Sequence, residues 1–250
     1  TIKGVPVKTI SGDRAGASFE GQLYYDSDGV GTFKFLGALA AGSWASGGAL
    51  NTARDALGSA GTQTASLAFG GDTPPATANT EAYNGSSWTE VNNLNTARVK
   101  LGGLGTQTAA LAMGSQNPGY TAITELWDGT NWTEVNDMNE VKSAMGTAGI
   151  TTAGLVFGGL QPPDNNTAIT ETWDGTSWTE VNDLNSARSG LAGAGTQTAA
   201  LAIAGYFSGP TRDRVESWDG TSWTEVAEIN TGRYVLAGFG SQTSALCCAG

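Results

Sequence analysis

Apolar residues come in short runs along this chain, and the runs return in phase. Leu67-Ala68-Phe69, Leu111-Ala112-Met113, Leu155-Val156-Phe157, Leu201-Ala202-Ile203 and Leu246-Cys247-Cys248 each follow a polar turn. Gly61-Thr62-Gln63-Thr64 is the first of these turns, and Gly105, Gly149, Gly195 and Gly240 open the others. Small residues such as Leu101-Gly102-Gly103-Leu104 precede each turn. Farther on, the period-two segments Ile169-Thr170-Glu171-Thr172-Trp173 and Trp178-Thr179-Glu180-Val181 flank Asp174-Gly175-Thr176-Ser177. Alternation on both sides of an Asp-Gly pair is the signal of a β-hairpin. Each unit therefore predicts four strands, the content of one propeller blade.

Two further anchors keep the same phase. Trp44, Trp88, Trp132, Trp178 and Trp223 recur every 44–46 residues, and so do the basic residues Arg54, Arg98, Lys142, Arg188 and Arg233. The repeats run near 51–94, 95–138, 139–184, 185–229 and 230–250, the last covering half a unit. The other half is expected at the opposite end of the chain. Thr32-Phe33-Lys34-Phe35-Leu36-Gly37 aligns with Thr170 to Gly175, and Ser43-Trp44 aligns with Ser177-Trp178. The sequence thus predicts an all-β, five-bladed β-propeller with four-stranded blades, closed by N-terminal strands (32–50) that complete the last blade. Residues 1–31 form an N-terminal extension and hairpin. A longer array with further blades is the other arrangement the pattern allows.

Composition narrows the chemistry. The chain has 12 basic and 23 acidic residues, a formal charge of −11, and no basic cluster, which argues against a nucleic-acid partner. No stretch approaches the roughly 18 apolar residues of a membrane span. There is no His in the sequence, which removes Ser-His-Asp and Cys-His nucleophiles and imidazole metal sites. The two cysteines, Cys247 and Cys248, are neighbours and read as small buried apolar residues. Carboxylates recur as Glu81, Glu125, Glu171, Glu216 and as Glu90, Glu134, Glu180, Glu225. A hydrolase needs one special pair, whereas these repeat in every unit, so ion pairs with the recurrent Arg or hydrogen bonds to turns are the expected role. No catalytic, cofactor or metal residue is assigned.

Gly70-Gly71 and Gly158-Gly159 after the apolar run resemble the kelch repeat, as do the aromatic pairs Tyr83/Trp88, Trp127/Trp132, Trp173/Trp178 and Trp218/Trp223. The resemblance spans about residues 32–250, with shorter units and with Gly114-Ser115, Ala204-Gly205 and Ala249-Gly250 where the Gly pair stands elsewhere. It implies kelch-like architecture rather than a kelch adaptor's function. Gly21-Gln22-Leu23-Tyr24-Tyr25-Asp26, Phe33-Lys34-Phe35-Leu36-Gly37 and Gly42-Ser43-Trp44 resemble a segment of tail-fibre and other virion proteins of tailed bacteriophages. That implies a non-enzymatic structural or attachment protein at the virion surface. Its partners would be other virion proteins and host surface glycans, with no nucleic acid and no membrane insertion. A secreted lectin and a polysaccharide hydrolase are the alternative classes.

The repeats differ most in the loop after the apolar run. Tyr120, Pro162, Asn165, Tyr206, Phe207 and Arg212 lie in these loops and are the candidate ligand face. The repeated Trp are expected between blades, with sugar stacking as the competing role. The Gly of the first strands are expected to face a narrow axis.

Overall fold

The structure, a computed structural model, describes residues 9–10, 23–26, 33–35, 46–207 and 212–248. The chain divides into two units, Thr1–Ser46 and Gly47–Gly250. In the first, Leu23–Asp26 pairs parallel with Thr9–Ile10 and antiparallel with Phe33–Phe35. The anchor Trp44 lies outside the described residues.

The second unit contains four antiparallel four-stranded sheets, each drawn from one repeat. The first sheet is Gly58–Thr62, Ala65–Phe69, Thr80–Tyr83 and Trp88–Val91. The second is Gly102–Thr106, Ala109–Ser115, Thr121–Trp127 and Trp132–Val135. The third is Gly146–Ile150, Ala153–Phe157, Thr170–Trp173 and Trp178–Val181. The fourth is Ala192–Thr196, Ala199–Ile203, Val215–Trp218 and Trp223–Val226. A small ribbon, Leu160–Gln161 with Asn165–Asn166, projects from the third repeat. The last repeat gives a hairpin, Ala237–Ser241 with Ser244–Cys248.

Local chemistry explains the outer hairpins. Gly129, Gly175 and Gly220 take φ between 93° and 96°, and the preceding Asp accepts two backbone N–H groups through Oδ1. Asn84 does the same in the first sheet. These bonds hold Asp128, Asp174 and Asp219 below the usual carboxylate range.

Aromatic side chains join consecutive sheets. Trp132 lies edge-on to Phe69 of the first sheet, centroids 4.9 Å apart, and its Nε1 donates to Thr80 Oγ1 at 3.1 Å. Trp178 donates likewise to Thr124 and Trp223 to Thr170, with Trp223 4.8 Å from Phe157. All three indoles are buried, so they belong to the core and are not sugar platforms. Gln107 and Gln197 add ties across the same contacts, donating to the Tyr83 and Trp173 carbonyls of the preceding sheet.

The first strands of the five repeats line one cavity of about 380 Å³. Their glycines are required by close contacts within each sheet and with the neighbouring one. A Cβ on Gly146 would sit 2.3 Å from the ring of Phe157, its partner on the next strand of the same sheet, and one on Gly193 would sit 2.1 Å from the Thr147 carbonyl of the neighbouring sheet. A belt of backbone bonds runs just ahead of these strands. Lys100 N–H donates to Ala56 C=O, Ala144 to Lys100, Gly190 to Ala144 and Val235 to Gly190, at 2.7–2.8 Å. All five residues have φ between 49° and 58°.

The ends of this array differ from the expected closed ring. Among the described residues no bond joins Ala56 to Val235, and no third strand pairs with Ser244–Cys248. Phe33–Phe35, expected beside that strand, pairs with Leu23–Tyr25. The last hairpin consequently leaves Phe239 and Leu246 about half exposed, whereas Leu67, Leu111 and Leu155, at the register of Leu246, are fully buried.

Candidate functional site

The recurrent carboxylates sort into two populations. Glu81, Glu125, Glu171 and Glu216 form ion pairs with Arg54, Arg98, Lys142 and Arg188, and all eight side chains are essentially inaccessible. Glu125 also accepts the Asn95 backbone N–H and Nδ2, both at 2.8 Å, and Asn95 Nδ2 reaches the Trp132 carbonyl. The same wiring recurs at Asn139 and Asn185. Each cluster therefore ties the start of a repeat to its outer strands. Burial lowers the pKa of Arg98, Arg188 and Lys142, opposed first by their Glu partners. Burial would raise Glu81, but the Asn51 N–H and Arg54 bring it below the ordinary value. Glu90, Glu134, Glu180 and Glu225 sit directly across the strand pair and are exposed. Among the described residues no group of three or more His, Cys, Asp or Glu could hold a metal ion.

The variable loops share an end of the array with the segments that enter each repeat. Backbone bridges join Asp55 to Asp72, Val99 to Asn117, Ser143 to Leu160 and Ser189 to Tyr206. The Thr-Gln-Thr turns lie at the other end, with the Asp-Gly hairpins, since Trp127, Trp173 and Trp218 Nε1 donate to the Gln107, Thr151 and Gln197 carbonyls.

At the centre of the loop end is an open basin of about 850 Å³. Its apolar wall is Leu57, Leu101, Met145, Leu191 and Leu236, and Asp55, Lys100, Ser189, Tyr206, Tyr234 and Val235 also line it. Tyr206 and Tyr234 are each 44% exposed, with centroids 6.0 Å apart. The Arg212 guanidinium stands 4.9 Å from one ring and 4.6 Å from the other, so the cation holds both faces.

Beside the basin, Gln116, Tyr120 and Asp164 form a clasp between two loops. Tyr120 OH donates to Asp164 Oδ1, and Gln116 Nε2 donates to the same oxygen at 2.6 Å. Lys100 Nζ donates to Gln116 Oε1. Desolvation, with the Asp164 carboxylate next, pushes the Tyr120 phenol up to about 12, so it stays a donor.

No protein-family model matches the chain. No curated protein matches it in sequence either.

The geometry divides the six sequence candidates. Tyr206 and Arg212 meet at the basin rim, Tyr120 serves the clasp, and Pro162 and Asn165 are exposed on the ribbon of the third repeat. Phe207 requires correction: it is 9% exposed and packs under the Arg214 guanidinium, because it is the inward neighbour of outward Tyr206. Tyr234 was missed. It follows the basic anchor Arg233 where the other repeats have Asp55, Val99, Ser143 and Ser189, and that outlying aromatic was the available signal.

Proposed function

We propose that this chain is a non-enzymatic binding module, a five-bladed kelch-like β-propeller that recognises a protein or glycan partner on its loop end. The observation that carries this is the contrast between the two ends. One repeats Thr-Gln-Thr and Asp-Gly turns, while the other surrounds an apolar basin with unlike groups. Specificity requires groups that differ from repeat to repeat, and Tyr206, Tyr234 and Arg212 supply aromatic faces beside a fixed cation. The interior Glu–Arg and Glu–Lys pairs leave those carboxylates committed to the fold, which supports binding over hydrolysis. Closure of the ring is part of the proposal. It is supported by the shared cavity, the four-bond belt and the matching halves of the fifth repeat. The likeness of residues 21–44 to virion segments makes a phage particle surface the setting we propose.

The test is binding of the full chain to an array of bacterial surface polysaccharides and to whole host cells. Tyr206→Ala with Tyr234→Ala should weaken retention at least about tenfold, or ~1.4 kcal/mol, with melting nearly unchanged. Unchanged retention, combined with loss on changing Thr106 and Thr196, would place recognition at the opposite end.

A further inference from the structure

Four positions of the fourth and fifth repeats depart from the rest, and all four meet at one place on the basin rim. Arg212 stands where Thr77 and Thr167 stand, since its carbonyl accepts from Arg233 N–H as theirs accept from Arg98 and Arg188. Tyr206 takes the bridge position of Asp72, Asn117 and Leu160. Tyr234 replaces Asp55, Val99, Ser143 and Ser189. Gly232 replaces Ala53, Ala97, Val141 and Ala187, and a Cβ there would sit 2.9 Å from the Arg212 backbone nitrogen. Backbone bonds fix the group. Tyr206 exchanges bonds of 2.7 and 3.0 Å with Ser189. On either side of Tyr234, Val235 N–H donates to Gly190 C=O at 2.7 Å, and Arg233 C=O accepts from Gly205 N–H at 3.1 Å. The Arg212 guanidinium is held by its π contacts with both rings, and among the described residues its side chain makes no hydrogen bond or ion pair. Arg54, Arg98 and Arg188 each meet a Glu, and Arg214 donates to Ser186. Arg212 therefore presents a fixed, unpaired N–H edge, the geometry that receives a carboxylate through two parallel bonds.

We propose that the basin binds an acidic peptide segment of a protein partner, with an Asp or Glu carboxylate on the Arg212 edge and a large apolar side chain on the floor; this rests on the loop-end reading above. The floor decides between peptide and glycan. Leu57, Leu101, Met145, Leu191 and Leu236 offer no side-chain hydrogen-bond partner, so sugar hydroxyls set on them would be desolvated unpaired. An aliphatic or aromatic side chain gains from leaving water there. The charges agree with an acidic ligand. At the basin Arg212 and Lys100 oppose Asp55, in a chain of formal charge −11, and the Lys100 ammonium donates to the neutral Gln116 amide. Because the rings and the cation are fixed before the partner arrives, little ordering is needed on binding.

The test is an array of random short peptides with amidated C-termini, so that side chains supply the only carboxylates, probed with the full chain. Selected peptides should carry a large apolar residue next to Asp or Glu. Changing that acid to Asn or Gln in the peptide should weaken binding at least about tenfold, a comparison that leaves the protein untouched. Arg212→Glu should move the selection from acidic to basic residues at the same peptide position, which an unfolded variant could not do. No selected peptides, a selection without acidic preference, a selection that folded Arg212→Glu leaves unchanged, or binding of uronic-acid polysaccharides in place of peptides overturns the proposal. The loop-end reading is separated by retention on host cells. Retention that falls in Tyr206→Ala with Tyr234→Ala but not in Arg212→Gln overturns only the acidic ligand, and retention that neither variant changes removes both.

Discussion

Removing one carboxylate from the interior tests what joins each repeat together. In Glu125→Leu the Arg98 guanidinium keeps its charge with no exposed surface, and it loses a 2.8 Å partner. Breaking a buried pair from one side costs about 3–5 kcal/mol. The Asn95 donors also lose their acceptor, but Asn95 is exposed and water replaces it. Arg98 retains the Ile123 carbonyl at 2.7 Å and the Gly114 carbonyl at 3.3 Å, which offsets part of the loss. The net expectation is about 4 kcal/mol, which for a domain of this size lowers Tm by roughly 8–16 °C. Arg98→Lys should cost only about 1 kcal/mol, because the third repeat already uses Lys142, with Nζ 2.9 Å from Glu171. Arg98→Met combined with Glu125→Leu should cost less than Glu125→Leu alone, since it leaves no unpaired charge. Urea unfolding monitored by Trp fluorescence reads all of these. A loss below about 1 kcal/mol in Glu125→Leu, or strict additivity in the double variant, would refute the claim that these pairs are buried and coupled.

The three Asp turns predict an acid dependence. Their folded pKa lies below the ordinary aspartate value of about 3.9, so their contribution is present above that value and is lost as pH falls through the folded one. Changing Asp128, Asp174 and Asp219 together to Asn, as the first hairpin has at Asn84, should flatten the loss of stability between neutral and acid pH; an unchanged slope counts against it. The third repeat has Thr151 where Gln107 and Gln197 tie neighbouring sheets. Thr151→Gln should restore a bond to the Trp127 carbonyl and raise stability by about 0.5–1.5 kcal/mol, measurable by calorimetry; a decrease would show that the third turn has no room for the side chain.

Much of the fold was legible because its signals are local. Period-two alternation, the Asp-Gly and Asn-Gly pairs and the recurring basic residue specify hairpins without reference to distant residues, so the four complete sheets fall inside the repeats read from the sequence. Burial was not legible to the same degree. Glu81 and Glu90 recur with equal regularity and sit opposite each other, yet among the described residues only the first meets a cation, because the entering segment crosses one side of the strand pair. Tyr206 and Phe207 are adjacent aromatics in a variable loop, and only the path of that loop turns one outward and the other under Arg214. The glycines follow the same rule. Composition showed that they were needed, but the contact forbidding a Cβ on Gly193 is a backbone carbonyl of the neighbouring sheet, 46 residues earlier in sequence. What the sequence determined by itself was the repeat and its turn chemistry, since these depend on neighbours along the chain. Tertiary structure decided which copies of a repeated residue are enclosed, because enclosure depends on what the adjacent sheet places against them.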